Sequence, residues 1–157
     1  MTDVRLREIP ELLVLTEQRT IAAPDIKPWL MDAMDRLHRT TEEVGGRVDH
    51  CFVVYHGRFT EDTPEIPVEV CAPIGRDRAG TADVPMRVEP AHQEAYVRLR
   101  KSEFSDPAQV AGAFAAIAEW LARNGHTIAD APREVYFTDF TEAADTDEVC
   151  DIAFPIR

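Results

Sequence analysis

The landmarks of this chain recur at a nearly constant interval, and few folds satisfy that constraint. Pro10 is matched 80 positions later by Pro90, and Gly45 by Gly125 at the same spacing. Tyr55 is matched by Tyr136 at 81, and Pro73-Ile74 by Pro155-Ile156 at 82. The segments between them follow one order in both halves, the signature of an internal repeat. In the first half, a strand-like run from Val4 to Arg19 is broken by Pro10. A helical stretch from Pro24 to Val44 follows, then strands His50–Tyr55 and Ile66–Ile74. In the second half, Met86 to Arg100 is broken by Pro90, Pro107 to Asn124 is helical, and Arg133–Phe137 and Val149–Ile156 are strands. The expectation is an α+β fold, a tandem pseudo-two-fold repeat of two β-α-β-β units.

The first unit is placed at about 4–74, a linker at 75–84 and the second unit at about 85–157. The linker carries Gly75, Arg76, Asp77, Arg78, Gly80 and Asp83 with no apolar period, which reads as exposed loop. One unit of about 75 residues is marginal alone, so the pair is expected to behave as a single domain spanning 1–157.

Helix signals agree. Val110, Phe114, Ile117 and Leu121 make one apolar stripe. Asp106 is placed to cap that helix, Pro107 suits its first turn, and Asn124-Gly125 ends it. Leu30, Met34 and Leu37 form the corresponding stripe of the first helix, with Asp25 as its expected cap. Trp29 and Trp120 flank the stripes and read as core residues.

Charge limits the function. The chain has 157 residues with 17 Lys plus Arg against 29 Asp plus Glu, a formal net charge of −12. Nucleic-acid binding rests on neutralising phosphates, so direct binding is not expected. An acidic field instead concentrates cations, including cationic small molecules. No apolar run is long enough to span a membrane, and no signal-peptide pattern opens the chain, so a cytoplasmic location is expected. Cys51, Cys71 and Cys150 are an odd, scattered set and read as reduced, buried thiols. The spacings among His50, Cys51, His56 and Cys71 match no metal-binding pattern, so neither metal nor cofactor is expected.

The repeat is most informative where its symmetry breaks. Aligning Tyr55 with Tyr136 places Val53 opposite Glu134. Strand alternation sends Val135 and Phe137 to one face, expected to be the helix-covered one. It sends Glu134, Tyr136, Val53 and Tyr55 to the other face. A carboxylate among aromatic and apolar groups must find a cation or donor, or its pKa rises. Glu134 can therefore neutralise a lipophilic cation with tyrosine rings assisting, or act as general base or acid with Tyr136 as donor. From the residues alone, an exposed Glu134 paired with Arg133 or Lys101 is an equal alternative. His56 reads as a solvated turn residue. Glu69 and Asp151, present in both copies, read as serving the fold. No G-x-S-x-G, G-x-G-x-x-G or P-loop pattern occurs. Asp139, Glu142, Asp145, Asp147 and Glu148 lack the spacing of a calcium loop and read as a solvated acidic segment.

The two tandem units, with Ala95-Tyr96-Val97, Arg133-Glu134-Val135-Tyr136 and the closing Asp151-Ile152-Ala153-Phe154-Pro155-Ile156, resemble the GyrI-like small-molecule-binding superfamily. It includes effector-binding domains of multidrug-sensing transcription regulators and stand-alone proteins of gyrase-inhibitor type. The resemblance covers about Val4 to Ile156. It implies a ligand cleft between the halves and a glutamate, matched here by Glu134, that meets cationic aromatic ligands. Tyr136, Tyr55, Val53, Phe52, Trp29, Phe104 and Trp120 are the further candidate ligand-binding residues, with burial in the core as the competing reading for the aromatic ones. Where a glycine is common after the fifth strand, this chain has Lys101-Ser102-Glu103-Phe104, a departure at the rim of the cleft. Since Val4 already belongs to the first strand, no helix-turn-helix is expected ahead of it.

Three functions follow, in order of preference. The first is stand-alone binding of amphipathic aromatic small molecules, cationic by preference, as a sensor or sink. The second is hydrolysis of cyclopropanoid-type toxins, with Glu134 as general base and Tyr136 as donor. The third is an acidic protein-interaction module of gyrase-inhibitor type, with a protein as partner.

Overall fold

The computed structural model describes residues 3–80 and 83–157. In chain order its elements are β1 (Arg5–Ile9), β2 (Leu12–Ala22), α1 (Ile26–Glu43), β3 (Cys51–Tyr55), β4 (Glu65–Ile74), β5 (Met86–Glu89), β6 (His92–Arg100), α2 (Lys101–Phe104), α3 (Pro107–Arg123), β7 (Arg133–Tyr136) and β8 (Glu148–Ile156). Pro10 separates β1 from β2 and Pro90 separates β5 from β6, whereas Pro67 and Pro73 lie inside β4 and Pro155 inside β8. The fold is mixed helix and strand, and every described strand pairing is antiparallel. No helix among the described residues is long and apolar enough to cross a membrane.

The helix ends show which local signals act. Asp106 accepts a hydrogen bond from the Ala108 amide and caps α3. Asp25 makes no such bond at the start of α1: its backbone is already helical, and a three-residue 3-10 turn, Ala23–Asp25, leads into the helix instead. Gly45 and Gly125, just past the two long helices, have φ of 92° and 73°, the left-handed region that side chains disfavour. Of the expected linker at 75–84, Arg76–Arg78 forms a 3-10 turn, and Thr81 and Ala82 lie outside the described residues.

The chain divides into two units. The contiguous unit is Pro10–Pro90, with strands in the order β3-β4-β2-β5. The composite unit joins the chain up to Ile9 with Ala91–Arg157, in the order β1-β6-β8-β7. The units thus do not follow sequence order: β1 pairs with β6, Arg7 opposite Glu94, and β5 pairs with β2, Arg87 opposite Val14.

In the composite unit, α3 lays Ala113, Ile117 and Leu121 on a core of Ala95, Val97, Leu99, Cys150, Ile152 and Ile156. Directly paired residues share a face. Ile152 is opposite Val97 in β6 and Glu134 in β7, and Cys150 is opposite Leu99 and Tyr136. Glu134 and Tyr136 therefore lie on the helix-covered face, and the expectation that Val135 and Phe137 occupy it is corrected. Val135 is opposite Asp151, and its neighbour across β8 is Arg98. Apolar character misled here, because the partner strand and not the residue's own polarity decides the face.

The contiguous unit follows the same rule. Arg36 of α1 bonds Glu17 of β2, which marks that face as the one under the helix. Glu17 is opposite Val70, as is Val53, while Tyr55 is opposite Val68. Val53 and Tyr55 thus also lie on the helix side, again correcting their expected face. Phe52, opposite Cys71, lies on the other side.

Candidate functional site

Glu134 is 7% exposed, so it is not a surface carboxylate. The Tyr136 hydroxyl donates to its Oε1 at 2.6 Å, a short bond of the kind a charged acceptor makes. Two residues apart on one strand, the two side chains share a face, so the bond follows from the alternation of β7.

Aromatic rings continue from this pair. Phe104, from α2, meets Tyr136 edge-on with ring centroids 5.8 Å apart, and meets Phe140 at 5.7 Å. Both are the perpendicular arrangement that ring quadrupoles favour. Tyr136, Phe104 and Phe140 all pack against the α3 core. The α2 backbone is fastened to the following loop: the Lys101 amide donates to the Asp147 carbonyl at 2.9 Å and the Ser102 amide to Asp145 at 3.1 Å. The Lys101 ammonium donates to the Ala143 carbonyl at 3.0 Å and sits 4.8 Å from the Phe140 ring centre, within cation–π range. Phe140 and Lys101 were not among the candidate ligand-binding residues. In the sequence Lys101 stands as an alternative partner of Glu134 and as part of the departure at the rim, and no periodic signal ties it to a loop 40 residues on.

Cys150 lies beside this pair but is not a nucleophile. Burial raises its thiol well above the ordinary value, and the nearby Glu134 and Asp151 charges raise it further.

The other candidates have separate places. Trp120 stacks on His126, centroids 5.6 Å apart and planes 6° from parallel, beside the same core. In the contiguous unit, Val53, Phe52 and Trp29 are buried and Tyr55 is partly exposed. Glu17 is held below the usual carboxylate range chiefly by its hydrogen bond from Arg36, with Trp29 adding to the effect. A half-open groove of about 380 Å³ runs along α1, lined by residues including Glu17, Arg36, Leu37 and Arg39, and contains none of the candidate ligand-binding residues.

The opposite face of each unit carries a buried ion network. In the composite unit, Arg7 reaches Glu94 at 2.8 Å and Asp151 at 2.7 Å, Arg98 pairs with Asp151 at 2.8 Å, and His92 lies 2.8 Å from Glu94. Arg7 and Arg98 also stack on the Tyr96 ring, at 4.0 and 5.8 Å. In the contiguous unit, Arg87 bonds Glu69 at 2.8 Å and Glu89 at 2.6 Å. His56 Nε2 is 2.9 Å from Glu69, so His56 is a member of this network and not simply a solvated turn residue. Burial alone would raise the Glu69 and Glu94 carboxyls. Hydrogen bonds from Arg87 and His56 outweigh it for Glu69, and those from His92 and Arg7 for Glu94, so both lie below the ordinary value. Arg7 bridges Glu94 and Asp151, Arg98 joins Asp151, and Arg87 bridges Glu69 and Glu89, so these networks tie strands together.

Glu134, Tyr136, Phe104 and Phe140 thus form one cluster in the composite unit. The chain belongs to the family of GyrI-like small molecule binding domains, whose sequence model matches residues 2–157. Solved structures share the fold. The EcmrR C-terminal domain is 19% identical, with 100% of this chain and 98% of that one covered and a TM-score of 0.72. A hydrolase from Listeria innocua is 9% identical, with 98% and 91% covered and a TM-score of 0.65. SAV2435 bound to tetraphenylphosphonium is 8% identical, with 99% and 94% covered and a TM-score of 0.62. No protein of curated description matches the chain.

Proposed function

We propose that this domain binds amphipathic aromatic small molecules, cations by preference, with Glu134 as the countercharge and Tyr136 and Phe104 as ring contacts. The observation that carries this reading is the buried Glu134 carboxylate, bonded at 2.6 Å by a tyrosine and backed by a cluster of rings. A lipophilic cation matches such a carboxylate and its rings with charge and apolar surface together. The formal charge of −12 favours approach of a cation. A structural relative solved with tetraphenylphosphonium supports the ligand class. The tandem repeat belongs to the same proposal. Arg7 and Arg87 stand 80 positions apart, and each bonds the acidic residue, Asp151 or Glu69, that precedes a terminal Pro-Ile.

Thermal unfolding with tetraphenylphosphonium and with neutral triphenylphosphine oxide tests the reading. A ligand at 100 times its Kd adds about 2.7 kcal/mol, several degrees of melting temperature for a chain of this size. The cation is expected to stabilise the wild type and to lose most of that effect in Glu134→Gln. Equal stabilisation of both proteins, or none of either, overturns the role of Glu134.

The short Tyr136–Glu134 bond also supports a hydrolytic reading, in which Glu134 takes a proton from water and Tyr136 donates to the substrate. A similarly folded protein described as a hydrolase lends it support. It requires turnover of a strained-ring substrate that Glu134→Gln abolishes while a neutral ligand still binds.

A further inference from the structure

The chain has two lysines, Lys27 and Lys101, and Lys101 is the one basic residue in α2 and the 137–147 loop. That loop carries Asp139, Glu142, Asp145 and Asp147, yet the Lys101 ammonium bonds the Ala143 carbonyl and lies over the ring of Phe140. Asp139 feels the charge: its carboxyl is lowered mainly by bonds from Thr141, and Lys101 adds to the effect. Phe140 is one ring away from Tyr136, through Phe104. An ammonium of the protein's own thus occupies a ring face at the end of the aromatic cluster that starts at Glu134.

We infer that Lys101 is an internal cation that competes with cationic ligands and clasps α2 to the 137–147 loop, so that an aromatic cation binds by displacing this ammonium from Phe140. The inference rests on the reading of Glu134 as the ligand's countercharge. A cation close to Phe140 would meet Lys101 in like-charge repulsion and would share one ring face with it, and both costs fall on the ligand. When Lys101 withdraws, the loop loses the bond to Ala143, and the neighbouring amide bonds at positions 101 and 102 are left to hold α2.

The test uses the full chain and the variants Lys101→Met and Lys101→Arg. In the unliganded protein, hydrogen exchange at the amides of positions 101 and 102 should be at least about tenfold faster in Lys101→Met and near wild type in Lys101→Arg. Unchanged exchange in Lys101→Met overturns the clasp. Tetraphenylphosphonium should bind Lys101→Met about fivefold more tightly than wild type, within the range that loss of one competing cation–π contact allows. Phe140→Leu should erase that gain. If wild type binds the cation through Glu134 and Lys101→Met binds it no better, the competition is overturned while the binding reading stands. If wild type does not bind it, or binds it equally in Glu134→Gln, the reading of Glu134 fails and the competition with it, and the exchange result still decides the clasp.

Discussion

Arg7 and Asp151 are 144 positions apart in the chain and meet at 2.7 Å. The bond ties β1 to β8 across β6, and Asp151 is fully buried. Arg87 and Glu69 make the matching bond in the contiguous unit, tying β5 to β4 across β2. In both units a short strand is thereby anchored beyond its own ladder.

Removing the shared acceptor should be severe. Asp151 takes bonds from both Arg7 and Arg98, so Asp151→Asn leaves two partly buried guanidinium groups undercompensated. Breaking a buried pair from one side costs about 3 kcal/mol or more, which urea denaturation will measure. A loss under about 1 kcal/mol would show that the arginines swing to water at little cost.

Acid should unfold the protein through these same networks. Glu69 and Glu94 have carboxyls lowered in the folded state, so the unfolded chain binds protons first as pH falls. Their contribution is complete above the ordinary Glu value of about 4.3 and is lost as pH drops through the folded values. Stability in urea should therefore hold from pH 7 to about 5 and decline below it. A midpoint unchanged between pH 5 and pH 3 would contradict the lowered carboxyls.

The two expected caps should separate by mutation. Asp106→Ala removes the bond to the Ala108 amide and should cost about 1 kcal/mol, whereas Asp25→Ala removes no capping bond and should change little. Equal losses in the two variants would show that the Asp106 bond contributes nothing particular.

At the candidate site, Phe104→Ala takes one edge contact from Tyr136 and another from Phe140. For a half-buried ring with two such contacts the expected loss is about 2 kcal/mol. Tyr136→Phe should cost about 1.5–3 kcal/mol, since it takes a donor from a buried carboxylate. The double variant should lose less than the sum, because the two side chains touch. Full additivity would show that the rings are not coupled.

Much of this was legible in the residue order. Pro10 and Pro90 fall at strand breaks, Asp106 and Pro107 start α3, and Gly45 and Gly125 follow the long helices. These are local effects, complete within a few residues, so a linear reading captures them. The Glu134–Tyr136 pair was also legible, since residues two apart on a strand share a face whichever face it is.

What remained depended on partners far along the chain. Val135 and Phe137 look like core residues, yet the face of β7 is set by Ile152 and Cys150, which stand opposite Glu134 and Tyr136. The exchange of β1 and β5 between sequence halves is a matter of ladder pairing, and neither strand's composition encodes its partner. Lys101 and Phe140 meet only because α2 and the later loop share backbone hydrogen bonds. Residue chemistry by itself determined where several elements start and stop and that the Glu134 charge shares a face with Tyr136. Tertiary pairing decided which face that charge occupies and what surrounds it, because burial belongs to the assembled sheet and not to any one strand.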